Sequence, residues 1–469
     1  MALPGAQALS LQKRDEPAVF SFPVQRRRDT NLGRLQERAA TASSPLGIQN
    51  SEYPAFFCNI SLGTPPQQVE AQLDTGSSYL FVIASNSSAC TETSSDSEKC
   101  LTPGSFNISA SSTYTATGSQ INETYTTGTM LTGVLGTDTL TLGSATMNME
   151  LAVQYDLEAI NILGLGYSSN NSSTSLPQAL VKSGQINSAA YSLWADDPSG
   201  DSGTLLLGGV NSAKYTGELY TTSIPAAADG VHHLPMVLVS NVVVQSNSST
   251  SAKSDISGLP AYMILDSNVF WTYLPDDVVE NIYRDLNVSF SRNGQIGEIT
   301  DCSVGYQNYN VTFSFSNFDI NIPLSFFLTE NDDGNSCAFT IVPSGDEAAI
   351  LGANFLRSVY TVYDLPNNEI SLAQRDFTKS SPDNILEINN SSTIAIPGAV
   401  SISVSVATTV TVPTAATIPS PITTFPPALS TEASRVTSTT AAKNAAPTLS
   451  SVANKLTAGL MGAFICFAL

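Results

Sequence analysis

Between about residues 50 and 378 the apolar positions fall in short runs, some alternating with polar residues and some wholly apolar. Each run is closed by Gly, Asn, Asp or Ser, as in EAQLDTGSSYLFVIA, GTLLLGGV, HLPMVLVSNVVVQ, AYMILDSNVFWTYLP, VTFSFSNFDINIPL and SVYTVYDLPNNEISLA. A period of two with turn residues between runs predicts strands. Helical periodicity is confined to pieces such as SLPQALVKSGQI and LPDDVVENIYRDL, so the predicted class is all-β. The pattern also repeats. An apolar run ending in Asp-Thr or Asp-Ser occurs at Gln72 to Thr75 and at Met263 to Ser267, and each is followed well downstream by Ile-Leu-Gly, at Ile162 to Gly164 and Ile350 to Gly352. Two homologous lobes are predicted, residues 46–220 and 221–378.

The ends of the chain break this pattern. Residues 1–12 lack the continuous apolar core of a secretion signal, although Ala-Gln-Ala and Lys13-Arg14 are what usually follows one. With a second basic pair at Arg27-Arg28, residues 1–45 are expected to be a signal remnant and pro-segment; an unstructured basic N-terminus is the alternative. From about Ser380 to Lys443 the chain is rich in Ser, Thr, Ala and Pro with hardly any aromatic residue, the composition of a stalk, here assigned to 379–444. Three small residues, Asn444-Ala445-Ala446, then precede a polar spacer and an apolar tail from Leu456 to Leu469. That order is the one of a GPI-attachment signal, with Asn444 as attachment site and 445–469 removed. The tail is short of the roughly 20 residues of a typical transmembrane helix. A tail anchor or a merely hydrophobic C-terminus is the alternative.

Composition narrows the chemistry. With 42% hydrophobic residues a large core can be buried, while only 13% are charged. The formal net charge is -21, and seven of the 19 Lys and Arg lie within residues 1–38, so the remainder holds 12 bases against 36 acids. Such a surface repels nucleic acid phosphates and anionic lipid heads, so no nucleic acid partner is expected. The two histidines, His232 and His233, are adjacent, which removes most zinc sites and leaves little room for a His-dependent triad. No metal and no cofactor are expected, and hydrolytic chemistry would rest on carboxylates. Eleven Asn-X-Ser/Thr sequons fit a secreted glycoprotein. Of six cysteines, Cys466 lies in the apolar tail. Cys90 pairs with Cys100 across a polar loop and Cys302 with Cys337 across a β-patterned stretch, leaving Cys58 as a buried, inert thiol.

If each repeat presents an Asp at the end of a buried strand and a pseudo-twofold axis brings them together, Asp74 and Asp266 share a proton, because two close carboxylates resist double ionisation. The ionised member takes a proton from water while the other polarises a peptide carbonyl. Asp-Thr-Gly and Asp-Ser-Asn alone mark only turns; their flanks and repetition give them weight.

These flanks resemble the pepsin-like aspartic proteases, and among them the fungal GPI-anchored, yapsin-like branch. The resemblance covers about residues 50–376 through AQLDTGSSYLFV, TYTTGTMLTGVLGTDTL, ILGLGY, YSLWADDPSGDSGTLLLGGVNSAKYTGEL, AYMILDSNVFWTYLP and ILGANFLRSVYTVYDLPNNEISLAQ. It implies a bilobal all-β fold with an extended peptide bound in a central cleft. It makes Thr75 and Ser267 the hydroxyls that bind across the lobe interface, Gly76 the place where substrate backbone comes close, and Ser77 the donor to Asp74. Tyr125 matches the flap tyrosine, with Gly128 at the hairpin tip and Thr129 beside it in the substrate site. Three positions depart from the family pattern. Asn268 replaces a glycine, which puts a side chain on the substrate path; Val269 replaces the Ser or Thr that would donate to Asp266; Phe81 replaces the tryptophan that serves the flap tyrosine. The expected function is a monomeric, acid-active endopeptidase made as a zymogen, GPI-anchored at the plasma membrane and in reach of the cell wall, with polypeptide substrates. The alternative is a peptide-binding or wall module in which Asn268 and Val269 impair catalysis. The acidic surface and the resemblance together also point to basic residues at the scissile bond.

Overall fold

In the computed structural model, residues 18–26 are described and, apart from 92–99, 101–102, 125–129, 157–159, 169–173, 199–201, 247–256, 291–296, 300, 308, 331–335, 346, 379–381 and 390–395, so are residues 56–402, with 410, 412 and 413 beyond. Tyr125, Gly128, Thr129 and Asn444 fall outside the described residues. The strand-dominated reading holds: the described helices of seven or more residues, Leu176–Lys182 and Asp276–Leu286, are the two segments with helical periodicity. The first is opened by a reciprocal capping box between Ser175 and Gln178, which satisfies free N–H groups of its first turn. The second begins with Asp276 and Asp277 at its positive end and closes on Asn287 in the left-handed conformation.

One sheet of 14 strands runs from lobe to lobe. In its middle Phe56–Leu62 pairs antiparallel with Gln67–Asp74, and Gln67–Asp74 pairs parallel with Ile162–Gly164. Ile162–Gly164 is antiparallel to Leu80–Ile83, which in turn lies parallel to Ala145–Gln154. The second lobe repeats the unit in a separate sheet: Ala261–Leu265 is parallel to Ala349–Leu351, which is antiparallel to Thr272–Leu274, itself parallel to Ile341–Pro343. Strands hemmed in this way are covered on both faces, which is why these stretches read as wholly apolar rather than alternating. Val69, Ala71, Leu73, Leu80, Val82 and Leu163 fill one core, and Met263, Leu265, Leu274, Leu351 and Phe355 continue it in the second lobe.

Both ends of the body carry strands. Phe20–Arg26, inside the expected pro-segment, is a strand between Ser202–Leu207 and Phe56–Leu62, antiparallel to both, with Phe22 and Val24 buried. Inside the expected stalk, Ile385–Glu387 pairs with Gly209–Asn211 and Ala399–Ser401 lies parallel to Tyr215–Ser223. Ile388 and Ile396 are buried in a cluster with Trp194 and Tyr360. The packed body thus extends into the expected stalk, with Val412 also lying against the Leu234–Ile264 cluster, because a few well-spaced apolar side chains suffice to bury a chain whose average composition is polar.

Cys90–Cys100 and Cys302–Cys337 are bonded, with S–S distances of 2.01 and 2.06 Å, as the spacing led us to expect. Cys58 is free and buried opposite Ala71 in the sheet. Burial, and secondarily the charge of Glu70, pushes its thiol up to about 12, so it stays protonated and unreactive.

Candidate active site

Asp74 closes the strand Gln67–Asp74, and Asp266 directly follows Ala261–Leu265. Behind each, a short strand crosses in parallel, with Asp74 opposite Gly164 and Leu265 opposite Leu351. The Ile-Leu-Gly segments owe their glycines to this crossing. A Cβ on Gly164 would lie 2.4 Å from the Ser78 carbonyl carbon, and one on Gly352 2.2 Å from the Trp271 oxygen, so only glycine passes beneath the turn that follows each Asp. Leu165 N–H donates to the Asp74 carbonyl (2.7 Å) and Asp266 N–H to that of Leu351 (3.2 Å), which ties each Asp to its crossing strand.

The two turns lock into each other. Thr75 Oγ1 donates to the Leu265 carbonyl (2.8 Å) and accepts from Ser267 N–H (3.0 Å). Reciprocally, Ser267 Oγ donates to the Leu73 carbonyl (2.8 Å) and accepts from Thr75 N–H (3.2 Å). Both hydroxyls are fully buried, so no water competes, and losing either would strand its partners at about 1–3 kcal/mol each. This crossing fixes the two carboxyls relative to each other. A single Cβ on Gly76 would sit 3.2 Å from Asp266 Oδ2 and 3.3 Å from Asp74 Oδ1, which brackets how close the pair stands.

Within each turn the main chain serves the carboxyl in the same way. Gly76 N–H donates to Asp74 Oδ1 at 2.8 Å, and Asn268 N–H donates to Asp266 Oδ1 at 2.8 Å. Asn268 therefore leaves the turn intact. Neither residue takes a positive φ, so the tolerance of Asn for unusual backbone is not called upon. The side chains differ. Ser77 Oγ donates to Asp74 Oδ2 at 2.6 Å, whereas Val269 has no hydroxyl and packs among Leu234, Met236, Ile264 and Ile350. Burial first, and then the Asp266 charge, pushes the Asp74 carboxyl up to about 7; the donors Ser77 Oγ and the N–H groups of Gly76 and Ser77 oppose that rise. A buried acid pair of this kind holds a proton well above the usual carboxylate range.

Asp74, Thr75, Gly76, Ser77, Asp266 and Ser267 are thus brought together. For Tyr125, Gly128 and Thr129 the structure describes the hairpin arms Thr115–Thr124 and Met130–Leu142, paired up to Thr124 opposite Met130. Phe81 is fully buried beside Tyr79 and Ile162. Sequence reasoning missed two features. Tyr191 and Tyr363 form a cross-strand pair with ring centroids 4.8 Å apart, and both sit close enough to the acid pair to feel its charge. Desolvation holds both phenols far above their ordinary range, so they are neutral, apolar flooring. Gln72 is buried, and its Nε2 crosses the lobe interface to donate to the Asn268 carbonyl at 2.9 Å. The signal was present: Gln72 stands two places before Asp74 where the second repeat has Ile264.

Comparison with known proteins agrees with this geometry. A family profile described as eukaryotic aspartyl protease matches residues 55–375. The probable aspartic-type endopeptidase opsB of Aspergillus oryzae is 40% identical over 420 residues, covering 86% of this chain and 85% of that protein. Secreted aspartic protease 8 of Candida albicans is 32% identical over 339 residues (71% and 78%). Aspartic proteinase 3 of Saccharomyces cerevisiae is 29% identical over 436 residues (75% and 74%).

Proposed function

This chain belongs to the eukaryotic aspartyl protease family and is an aspartic endopeptidase, and from that premise we propose that it cleaves polypeptides at the cell surface under acid to neutral conditions, with Asp74 and Asp266 as its catalytic pair. The observation that carries the assignment is the reciprocal Thr75–Ser267 lock, which holds two buried carboxyls on mirrored turns. Ser77 and the turn N–H groups favour the ionised form of Asp74; Asp266, whose turn carries Val269 where the other has the Ser77 hydroxyl, keeps the shared proton. Asp74 takes a proton from a water molecule as its oxygen bonds to the peptide carbonyl carbon, and Asp266 gives its proton to the carbonyl oxygen. The tetrahedral adduct collapses as the C–N bond breaks and the amine nitrogen takes the proton held by Asp74. Its hydroxyl proton returns to Asp266, which restores the starting state. Tyr125, Gly128 and Thr129 cover the peptide from the hairpin, and Gly76 admits its backbone.

Location and maturation rest on the termini. Sequons, two disulfides, the Ser/Thr-rich segment and the Asn444 signal support a secreted, GPI-anchored glycoprotein, and a relative is named as a secreted protease. Among the described residues no helix is long and apolar enough to cross a membrane. Lys13-Arg14 and Arg27-Arg28 are the processing sites of the zymogen, and the acidic surface favours peptides with basic residues. The test is hydrolysis of a mixed peptide library from pH 3 to pH 7. Asp74→Asn is expected to lower kcat/KM on the order of 10⁴-fold, and pepstatin to block the remainder. Cleavage that survives both would overturn the assignment of the pair. Release of the protein from cells by a phosphatidylinositol-specific phospholipase tests the anchor.

A further inference from the structure

The scheme above gives the Asn268 side chain, next but one to Asp266, no task. Asn268 is 4% exposed, and neither its Oδ1 nor its Nδ2 has a hydrogen-bond partner among the described residues. A buried primary amide unmet at both ends is rare, since folded chains satisfy such groups within themselves or with a ligand. Its backbone is held twice, by the bond from its N–H to Asp266 Oδ1 and by the bond from Gln72 Nε2 to its carbonyl. The side chain therefore starts from a fixed point. By the pseudo-twofold, its Cβ takes the place that mirrors the Cβ site of Gly76, which lies within 3.3 Å of an oxygen of each carboxyl.

The two departures from symmetry at this level meet each other. Gln72 has Ile264 as its counterpart, and Asn268 has Gly76. Gln72 is 1% exposed, reaches across the interface to Asn268, and its own Oε1 has no partner among the described residues. Three buried polar atoms with unused capacity, one donor group and two acceptors, thus lie at the turn that follows Asp266.

We propose that the Asn268 side-chain amide binds the backbone of the substrate, with Nδ2–H donating to a peptide carbonyl and Oδ1 accepting from a peptide N–H, and that Gln72 is the positioning residue that holds it there. A primary amide offers a donor and an acceptor side by side, the complement of what an extended peptide presents at its edge. The ligand class is an uncharged extended backbone rather than a particular side chain. On this reading Asn268 is a gain in substrate recognition where the sequence suggested an obstruction. The proposal rests on Asp74 and Asp266 being the reacting pair.

The test is a coupling cycle between protein and peptide. A fluorogenic octapeptide that the protein cleaves is compared with forms in which each non-scissile amide in turn is replaced by an ester, which removes one N–H and weakens one carbonyl acceptor without added bulk. The expected result is a loss of about 10-fold in kcat/KM at one or two positions for the wild-type protein, the worth of one hydrogen bond. Asn268→Gly, which copies the residue at the mirrored place, is expected to start about 10-fold lower, mainly through KM, and to lose nothing more at those positions. Gln72→Ile should raise KM and leave kcat unchanged. Equal ester losses in wild-type and Asn268→Gly proteins, or faster cleavage by Asn268→Gly, would overturn the proposal. A purely structural Asn268 would change Tm and leave the ester pattern unaltered. If cleavage survives Asp74→Asn, the reacting pair has been misassigned; the same cycle read as binding of the octapeptide to the Asp74→Asn protein, by calorimetry, then decides the role of Asn268 separately.

Discussion

The Asp74 turn and the Asp266 turn share a skeleton and differ in upholstery. Main-chain donors, crossing glycines and interlocked hydroxyls repeat from one to the other with hydrogen bonds that agree to within 0.2 Å. The side chains around them do not repeat: Gly76, Ser77 and Gln72 on one side stand against Asn268, Val269 and Ile264 on the other. Geometry is therefore a property of the pair, while protonation and substrate contact belong to the individual halves. A duplicated fold can keep the first fixed and let the second diverge.

The sharpest way to break the shared part is to remove one hydroxyl of the lock. Ser267→Ala loses the donor to Leu73 and the acceptor for Thr75, and Thr75→Val loses the matching pair. Each is expected to lower stability in urea unfolding by about 2–4 kcal/mol. Similar losses from both would establish the lock as symmetric, whereas a loss confined to one would make that lobe its sole support. The next effect in size is pH dependence. The Asp74 carboxyl lies above its ordinary value in the fold, so its contribution to stability is full below about pH 4 and is lost as pH rises towards about 7. In Asp74→Asn protein the stability between those limits should flatten, and an unchanged slope in unfolding titrations would count against a buried, shared proton. In the wild-type protein kcat/KM should fall once the pair loses its shared proton, which burial and the neighbouring carboxyl hold well above the usual carboxylate range. The smallest effects exchange the differing donors. Ser77→Ala removes a bond to ionised Asp74 and should move the acid-side rise of kcat/KM, where Asp74 ionises, to higher pH, while Val269→Thr supplies a donor near Asp266 and should move the fall, where Asp266 loses its proton, lower, each by less than about one unit. Displacements of the same sign would show that the side chains do not set the proton's place.

What the sequence revealed follows from where the information sits. Asp74, Asp266 and the glycines behind them were legible because tight turns and close crossings constrain residue type within a few positions. The disulfides were legible from spacing, and the two helices from their period. Gln72 was not, because its significance lies in Asn268, 196 residues away, while within EAQLD it passes for an ordinary polar position of an alternating strand. The Tyr191–Tyr363 pair was hidden in the same way. Phe20–Arg26 and the isoleucines at 388 and 396 were missed for another reason: composition over tens of residues averages away the one or two apolar side chains that anchor a segment.

The strand Phe20–Arg26 also has a place in time. It is made early, yet its main partner, Ser202–Leu207, leaves the ribosome more than 170 residues later. At ordinary rates of synthesis that interval is roughly 10 to 35 s. Until then only its last residues, Gln25 and Arg26, have a partner strand, in Phe56–Leu62, while Phe22 and Val24 wait for Leu205 and Gly203. The first strand of the central sheet is thus a late arrival in folding, and completion of the first lobe waits on it.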